Sequence, residues 1–136
     1  SPFRLPVTIK RAWNVFNGDH SVHSLRAVEK CSQHPGKMWV VRGERLLPIL
    51  PFMNTDTPWH SSQYAALPEI YVQNASLEIA KCSVPLTTKT ISGRKIIPFI
   101  TEKYEGFDIN LPEDWLLAEA LVESNLATLP KIIIRT

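Results

Sequence analysis

Asp108 and Asn110 stand two residues apart in the stretch EGFDINLPEDW, between Phe107 and Ile109 and just ahead of a helix start. Side chains two apart on an extended chain share a face, so the carboxylate and the carboxamide point the same way while Phe107 and Ile109 turn to the core. The expected element is a short strand over 104–109. In open α/β sheets ligands bind outside the carboxyl ends of the strands. One carboxylate and one amide oxygen suit a hard cation such as Mg²⁺ carried in on phosphates. The spacing alone favours a plainer arrangement, in which Asp108 is a buried acid satisfied by backbone N–H groups and Asn110 caps the helix.

The elements that must position this pair are readable in part. Ile9, Ala12, Trp13 and Phe16 recur at helical spacing, predicting an amphipathic helix over 6–17 closed by Gly18. SVHSLRAV predicts a strand, and MWVV and RLLPIL around Arg42-Gly43-Glu44 predict a β-hairpin with Pro48 near its end. Residues 51–68 hold three prolines and little periodicity, which predicts a long loop. SLEIAK and the stretch 95–100 read as strands, separated by a polar turn region. A closing helix is expected over 111–124, with Asn110 and Glu113 as a capping box and Pro112 in the first turn. The three isoleucines 132–134 need cover.

Composition bounds the rest. A chain of 136 residues, 44% hydrophobic, is expected to form one domain, 1–136. Its 15 Lys and Arg against 13 Asp and Glu are dispersed, which argues against nucleic acid as a partner. No apolar run approaches a bilayer span, so no membrane partner is expected and a cytoplasmic setting is the simple expectation. Cys31 and Cys82 are expected to be free thiols. His20, His23, Cys31 and His34 carry spacings that suggest zinc, but residues three apart on a strand face opposite sides, so no zinc site is expected. No G-x-S-x-G supports Ser/His/Asp catalysis.

Three stretches in order, HPGKMW, YVQNASLEI and YEGFDINLPEDWLLAEAL, resemble the C-terminal motifs of acylneuraminate cytidylyltransferases, the CMP-sialic acid synthetase family. SPFRLP resembles the tail of that family's Gln-Pro-Thr-Ser-Pro-Leu-Arg motif, so the likeness runs to about residue 124 and leaves 125–136 as an extra tail. The resemblance implies an α/β fold, part of a doubly wound (Rossmann-like) nucleotidyltransferase sheet with a hairpin and loop insertion at about 38–70 that makes oligomer contacts in a homodimer or higher oligomer. It implies transfer of CMP from CTP to an acidic nine-carbon sugar with release of pyrophosphate, helped by Mg²⁺.

On the matching positions, the resemblance makes Asp108 and Asn110 the metal pair, although the family often has a second acid where this chain has Asn110. It makes Lys37, Gln73 and Asn74 substrate-binding residues. Lys37 is alternatively a solvated hairpin lysine, and Asn74 a turn residue. Ala75 replaces the family's glycine, and Ser62 an arginine. The five glycines, at 18, 36, 43, 93 and 106, never cluster, so this sequence contains no glycine nest for a triphosphate. That leaves two expectations: a cytidylyltransferase whose nucleotide loop lies outside this sequence, without which this chain is inactive, or a non-catalytic binding or assembly module derived from such an enzyme.

Overall fold

The computed structural model describes residues 1–50 and 56–131. The chain is a mixed α/β protein that divides into two compact units, one of residues 1–29 with 73–136 and one of residues 30–72 inserted between them.

In the first unit, helix α1 spans Pro6–Gly18, with proline at its start where the missing N–H costs nothing. It buries Thr8, Ala12 and Phe16. The expected apolar face is therefore rotated by about one residue: Ile9 and Trp13 are exposed. The cause is polar, since the Thr8 hydroxyl donates to Glu105 Oε1 at 2.6 Å and draws its own side of the helix inward.

Strand β1, Ser24–Lys30, lies between strands β4, Tyr71–Ala80, and β5, Ile96–Ile100. β1 and β5 are parallel, from Ser24 opposite Ile96 to Val28 opposite Ile100. β4 runs antiparallel to β1, as bonds from Cys31 N to Ile70 O and from Lys81 N to His23 O show at opposite ends of the pair. Leu25 and Ala27, fully buried, pack with Ala12, Phe16, Val22 and Phe99, and Leu77 and Ile79 close the cluster from β4. Emptying the Leu25 site would cost about 2–5 kcal/mol. The polar turn region expected before β5 contains helix α2, Ser83–Thr88, which its proline and β-branched residues concealed.

Helix α3, Pro112–Glu123, belongs to a second cluster in which Phe3, Ala118 and Leu121 meet Tyr104, Phe107 and Ile109. Asn125, at φ 56°, ends it in the left-handed conformation that asparagine tolerates. The isoleucines 132–134 lie outside the described residues.

The inserted unit contains the expected hairpin, β2 (Trp39–Arg42) and β3 (Arg45–Pro48), antiparallel with Gly43 at φ 58° in the turn and Pro48 paired to Trp39 at its end. Val40, Val41, Leu46 and Leu47 are all exposed. Short 3₁₀ turns at Trp59–Ser61 and Tyr64–Ala66 shape the described part of the long loop.

Candidate functional site

Because β1 and β5 are parallel, their carboxyl ends open on the same side, and one group of the first unit's polar side chains gathers there. Thr101, one residue past β5, binds the Val28 carbonyl with both its N–H, at 2.9 Å, and its hydroxyl, at 3.2 Å. Asn74 on β4 joins it. The Asn74 amide nitrogen donates to Glu29 Oε2 and to Thr101 Oγ1, each at 3.1 Å. Its oxygen accepts from Ser76 N at 3.3 Å and Ser76 Oγ at 2.6 Å. An amide side chain offers two donors and two acceptor positions, so the protein itself engages all four of Asn74's. Gly106 closes over this arrangement: a Cβ there would collide with Glu29 Oε2 and Asn74 Nδ2.

Next to it, Glu105 ties α1 to the turn that follows β5. It accepts from Thr8, from both Arg11 guanidinium nitrogens at 3.2 and 2.6 Å, and from Glu102 N at 2.8 Å. Burial alone would push this carboxyl up; the bonds from Thr8, Glu102 N–H and Arg11, with the Arg11 charge, outweigh it and hold the carboxyl below the usual glutamate range. A cavity of about 380 Å³ opens beside it, lined by Phe3, Val7, Arg11, Glu102, Glu105 and Thr128 among others.

The expected strand over 104–109 is absent. Residues 103–106 form a turn, closed by bonds from Glu105 N to Glu102 O and Phe107 N to Tyr104 O, and 107–110 follow without a ladder. The alternation of side chains nevertheless holds: Phe107 and Ile109 pack inward and Asp108 and Asn110 face out. Asp108 is thus an exposed acid rather than a buried one. Its Oδ2 accepts from Asn110 Nδ2 at 3.2 Å, and its Oδ1 lies 3.8 Å from the Ser1 nitrogen. The capping expectation is also corrected. The N-cap is Leu111, and the carboxylate that closes the helix start is Asp114, accepting from the N–H groups of Asn110 and Leu111 at 2.9 Å each. Those two bonds hold the Asp114 carboxyl below its ordinary range. The cap moves one residue along because Asn110's amide is turned to Asp108 instead of the helix.

Lys37 and its HPGKMW stretch lie in the inserted unit. The Lys37 ammonium donates to the carbonyls of His60, at 3.3 Å, and Ser62, at 2.6 Å, and sits 5.3 Å from the Tyr64 ring centre. His34 is buried; its Nδ1 accepts from Gly36 N at 3.0 Å, so Nε2 carries the proton offered to the Pro68 carbonyl at 3.2 Å. Gly36 is glycine because a Cβ would stand 2.8 Å from that of Trp59. Lys37 is therefore not the freely solvated lysine that was one expectation. Gln73, exposed, donates to Glu78 Oε1 at 3.1 Å.

Of the residues singled out in the sequence, Asp108 bonds Asn110, and Asn74 sits under Gly106 of the same EGFDIN stretch. SPFRLP joins them: Ser1 Oγ donates to Glu105 O at 2.9 Å, Arg4 bonds the Ser76 carbonyl, and the Phe3 ring stands 5.6 Å from that of Phe107. Glu29, Thr101, Glu105 and Arg11 were not foreseen. Only the Asn74–Ser76 spacing carried a local sign, that of an asparagine accepting from the residue two along. Among the described residues no three His, Cys, Asp or Glu side chains group to hold a metal, and both cysteines are free. No helix among them is long and apolar enough to cross a membrane. No protein-family model matches the chain, and no curated protein matches it.

Proposed function

We propose that this chain is the sugar-acid side of a cytidylyltransferase of the CMP-sialic acid synthetase type, part of a doubly wound sheet that works with a nucleotide-binding half. The reaction would join CTP to an acylneuraminate-type nonulosonic acid and release pyrophosphate. One observation carries this reading: SPFRLP, YVQNASLEI and EGFDIN, far apart in sequence, converge at the carboxyl ends of β1 and β5. That is where open α/β sheets bind their ligands.

In this reading Asp108 presents an exposed carboxylate to Mg²⁺, a cation that is commonly held by one or two carboxylates with phosphates and water completing its shell. The donor chemistry fits that light attachment. When bound, Mg²⁺ neutralises charge on the phosphates. Asn110 donates to Asp108 and so orients the carboxylate without adding a second charge. Gln73, exposed on β4, is the side chain left to meet the sugar. A cytoplasmic setting suits the two free thiols. A homodimer or higher oligomer would cover the exposed apolar hairpin.

The second reading is a non-catalytic binding or assembly module of the same descent. It is favoured by Asn74 and Lys37, whose polar groups are engaged within the protein.

The test is pyrophosphate release from CTP, Mg²⁺ and sialic acid, with the chain alone and with the N-terminal half of a CMP-sialic acid synthetase added. The enzyme reading expects no release alone, release when supplemented, and loss of it in Asp108→Ala. Supplemented release that survives Asp108→Ala, or none at all with a half shown to bind the chain, overturns it.

A further inference from the structure

We infer that Glu29 is a positioning residue: through Asn74 it holds Gly106, and with it the Phe107–Asn110 segment that carries Asp108. This rests on the proposed role of Asp108 for its functional meaning, but the mechanical claim stands on geometry alone.

The segment from 103 to 110 has no strand ladder to fix it, so something else must set its course. On one side Phe107 and Ile109 pack into the second apolar cluster. Apolar packing is non-directional and by itself leaves a short unladdered segment free to slide. On the other side the hydrogen-bonded Glu29–Asn74 pair stands directly beneath Gly106, so close that a Cβ there would collide with it. Three features make that pair rigid. Asn74 has all four hydrogen-bonding positions filled, so its amide plane cannot turn without breaking several bonds at once. Glu29 belongs to β1, the central strand of the sheet. Thr101, the other acceptor, is itself tied back to β1 at Val28.

Gly106 is the complementary part. Its missing side chain lets the backbone lie directly on the hydrogen bond between Glu29 and Asn74, which explains glycine in EGFDIN without appeal to a left-handed turn, since Gly106 has no positive φ. Glu105, immediately before it, is fastened to Arg11, Thr8 and Glu102 N. The segment is thus pinned at 105 and seated at 106, and Asp108 follows two residues on. The asparagine of YVQNAS and the glycine of EGFDIN are two halves of one joint. On this account Asn74 serves the site by holding it, and its amide does not reach for a sugar hydroxyl.

The test is amide hydrogen exchange on the full chain, read residue by residue, in Asn74→Asp, Glu29→Gln and the double variant. Asn74→Asp replaces the donor with a second carboxylate facing Glu29. Exchange at Phe107, whose N–H bonds Tyr104 O, should accelerate about tenfold or more, the usual loss when a bond to a charged group is broken. β1 and β5 should keep their protection. The double variant exchanges the two roles, so that an amide at position 29 donates to a carboxylate at position 74, and should recover most of the loss. Should Asn74→Asp fail to fold, Glu29→Ala takes its place, with the same local acceleration expected. Unchanged exchange at Phe107, an acceleration spread evenly through β1 and β5, or no recovery in the double variant overturns the inference. The readout needs no nucleotide, metal or sugar, so its failure is distinct from failure of the proposed reaction.

Discussion

The two motif-rich regions of this chain use their polar side chains differently. In HPGKMW, the polar side chains His34 and Lys37 bond to the main chain, at Gly36 N, Pro68 O, His60 O and Ser62 O. In EGFDIN and the residues around it, side chains bond to one another as well as to the main chain: Asn74 to Glu29 and Thr101, Glu105 to Thr8 and Arg11, Asn110 to Asp108. Bonds from a side chain to main-chain groups depend on that one side chain, since every residue offers a carbonyl. Bonds among side chains depend on each partner's identity, and they end here in an exposed carboxylate. Charged residues in a motif can therefore be tied to the main chain in one place and exposed in another, and their types do not say which.

Gly106→Ala would break the comparison most severely. Overpacking against Glu29 and Asn74 should cost about 2–3 kcal/mol in urea unfolding, with the described hairpin amides unaffected. Equal loss at the hairpin would erase the distinction between the regions.

Lys37→Met tests the other side. Removing a charged donor from two carbonyls and a ring should cost about 1–2 kcal/mol of protection at Ser61 and Ser62, and leave Phe107 exchange as it was. A Lys37→Met chain with full protection there would return Lys37 to the role of a free cation.

Acid sharpens the contrast further. The Glu105 carboxyl is lowered on folding from an ordinary value of 4.5, so its contribution is present above that value and is lost as pH falls through the lower folded value. Glu105→Gln should flatten the fall in stability below pH 4.5. An unchanged slope would place the acid sensitivity elsewhere.

The smallest effects concern the helix start. Asp114→Ala should speed exchange at Asn110 and Leu111 severalfold, whereas Asn110→Ala should do so hardly at all, because the bonds to those N–H groups come from Asp114. Asp108→Asn, at an exposed position, should alter stability by no more than about 0.5 kcal/mol. A larger loss would make Asp108 a structural acid.

What was legible in the sequence was local. Gly43 between two apolar runs announced the hairpin, and Pro112 announced the start of α3. The inward turn of Thr8 was not legible, because its cause, Glu105, lies 97 residues away. The strand expected at 104–109 failed for a related reason: alternation fixes which way side chains point, but a ladder needs a partner, and none pairs with this segment among the described residues. Glu29, Thr101 and Gly106 meet only through the sheet, so no spacing marks them. Asp108 could be read as a candidate; its exposure could not, since the same alternation permits a buried acid.

The parallel pairing of β1 with β5 also sets an order of events during synthesis. Residues 30–72 make up a unit continuous in sequence. Residues 1–29 do not complete their sheet alone, because β1 pairs with β4 and, at Val28, with Ile100 of β5. At a translation rate of about 5–20 residues per second, β1 waits roughly 4–14 s for its parallel partner β5, with β4 emerging earlier. During that interval Leu25, Ala27 and Phe16, all buried in the finished protein, have only nascent chain, solvent or a chaperone against them. Variants that slow translation between the inserted unit and β5 would lengthen that exposure without touching a single native contact.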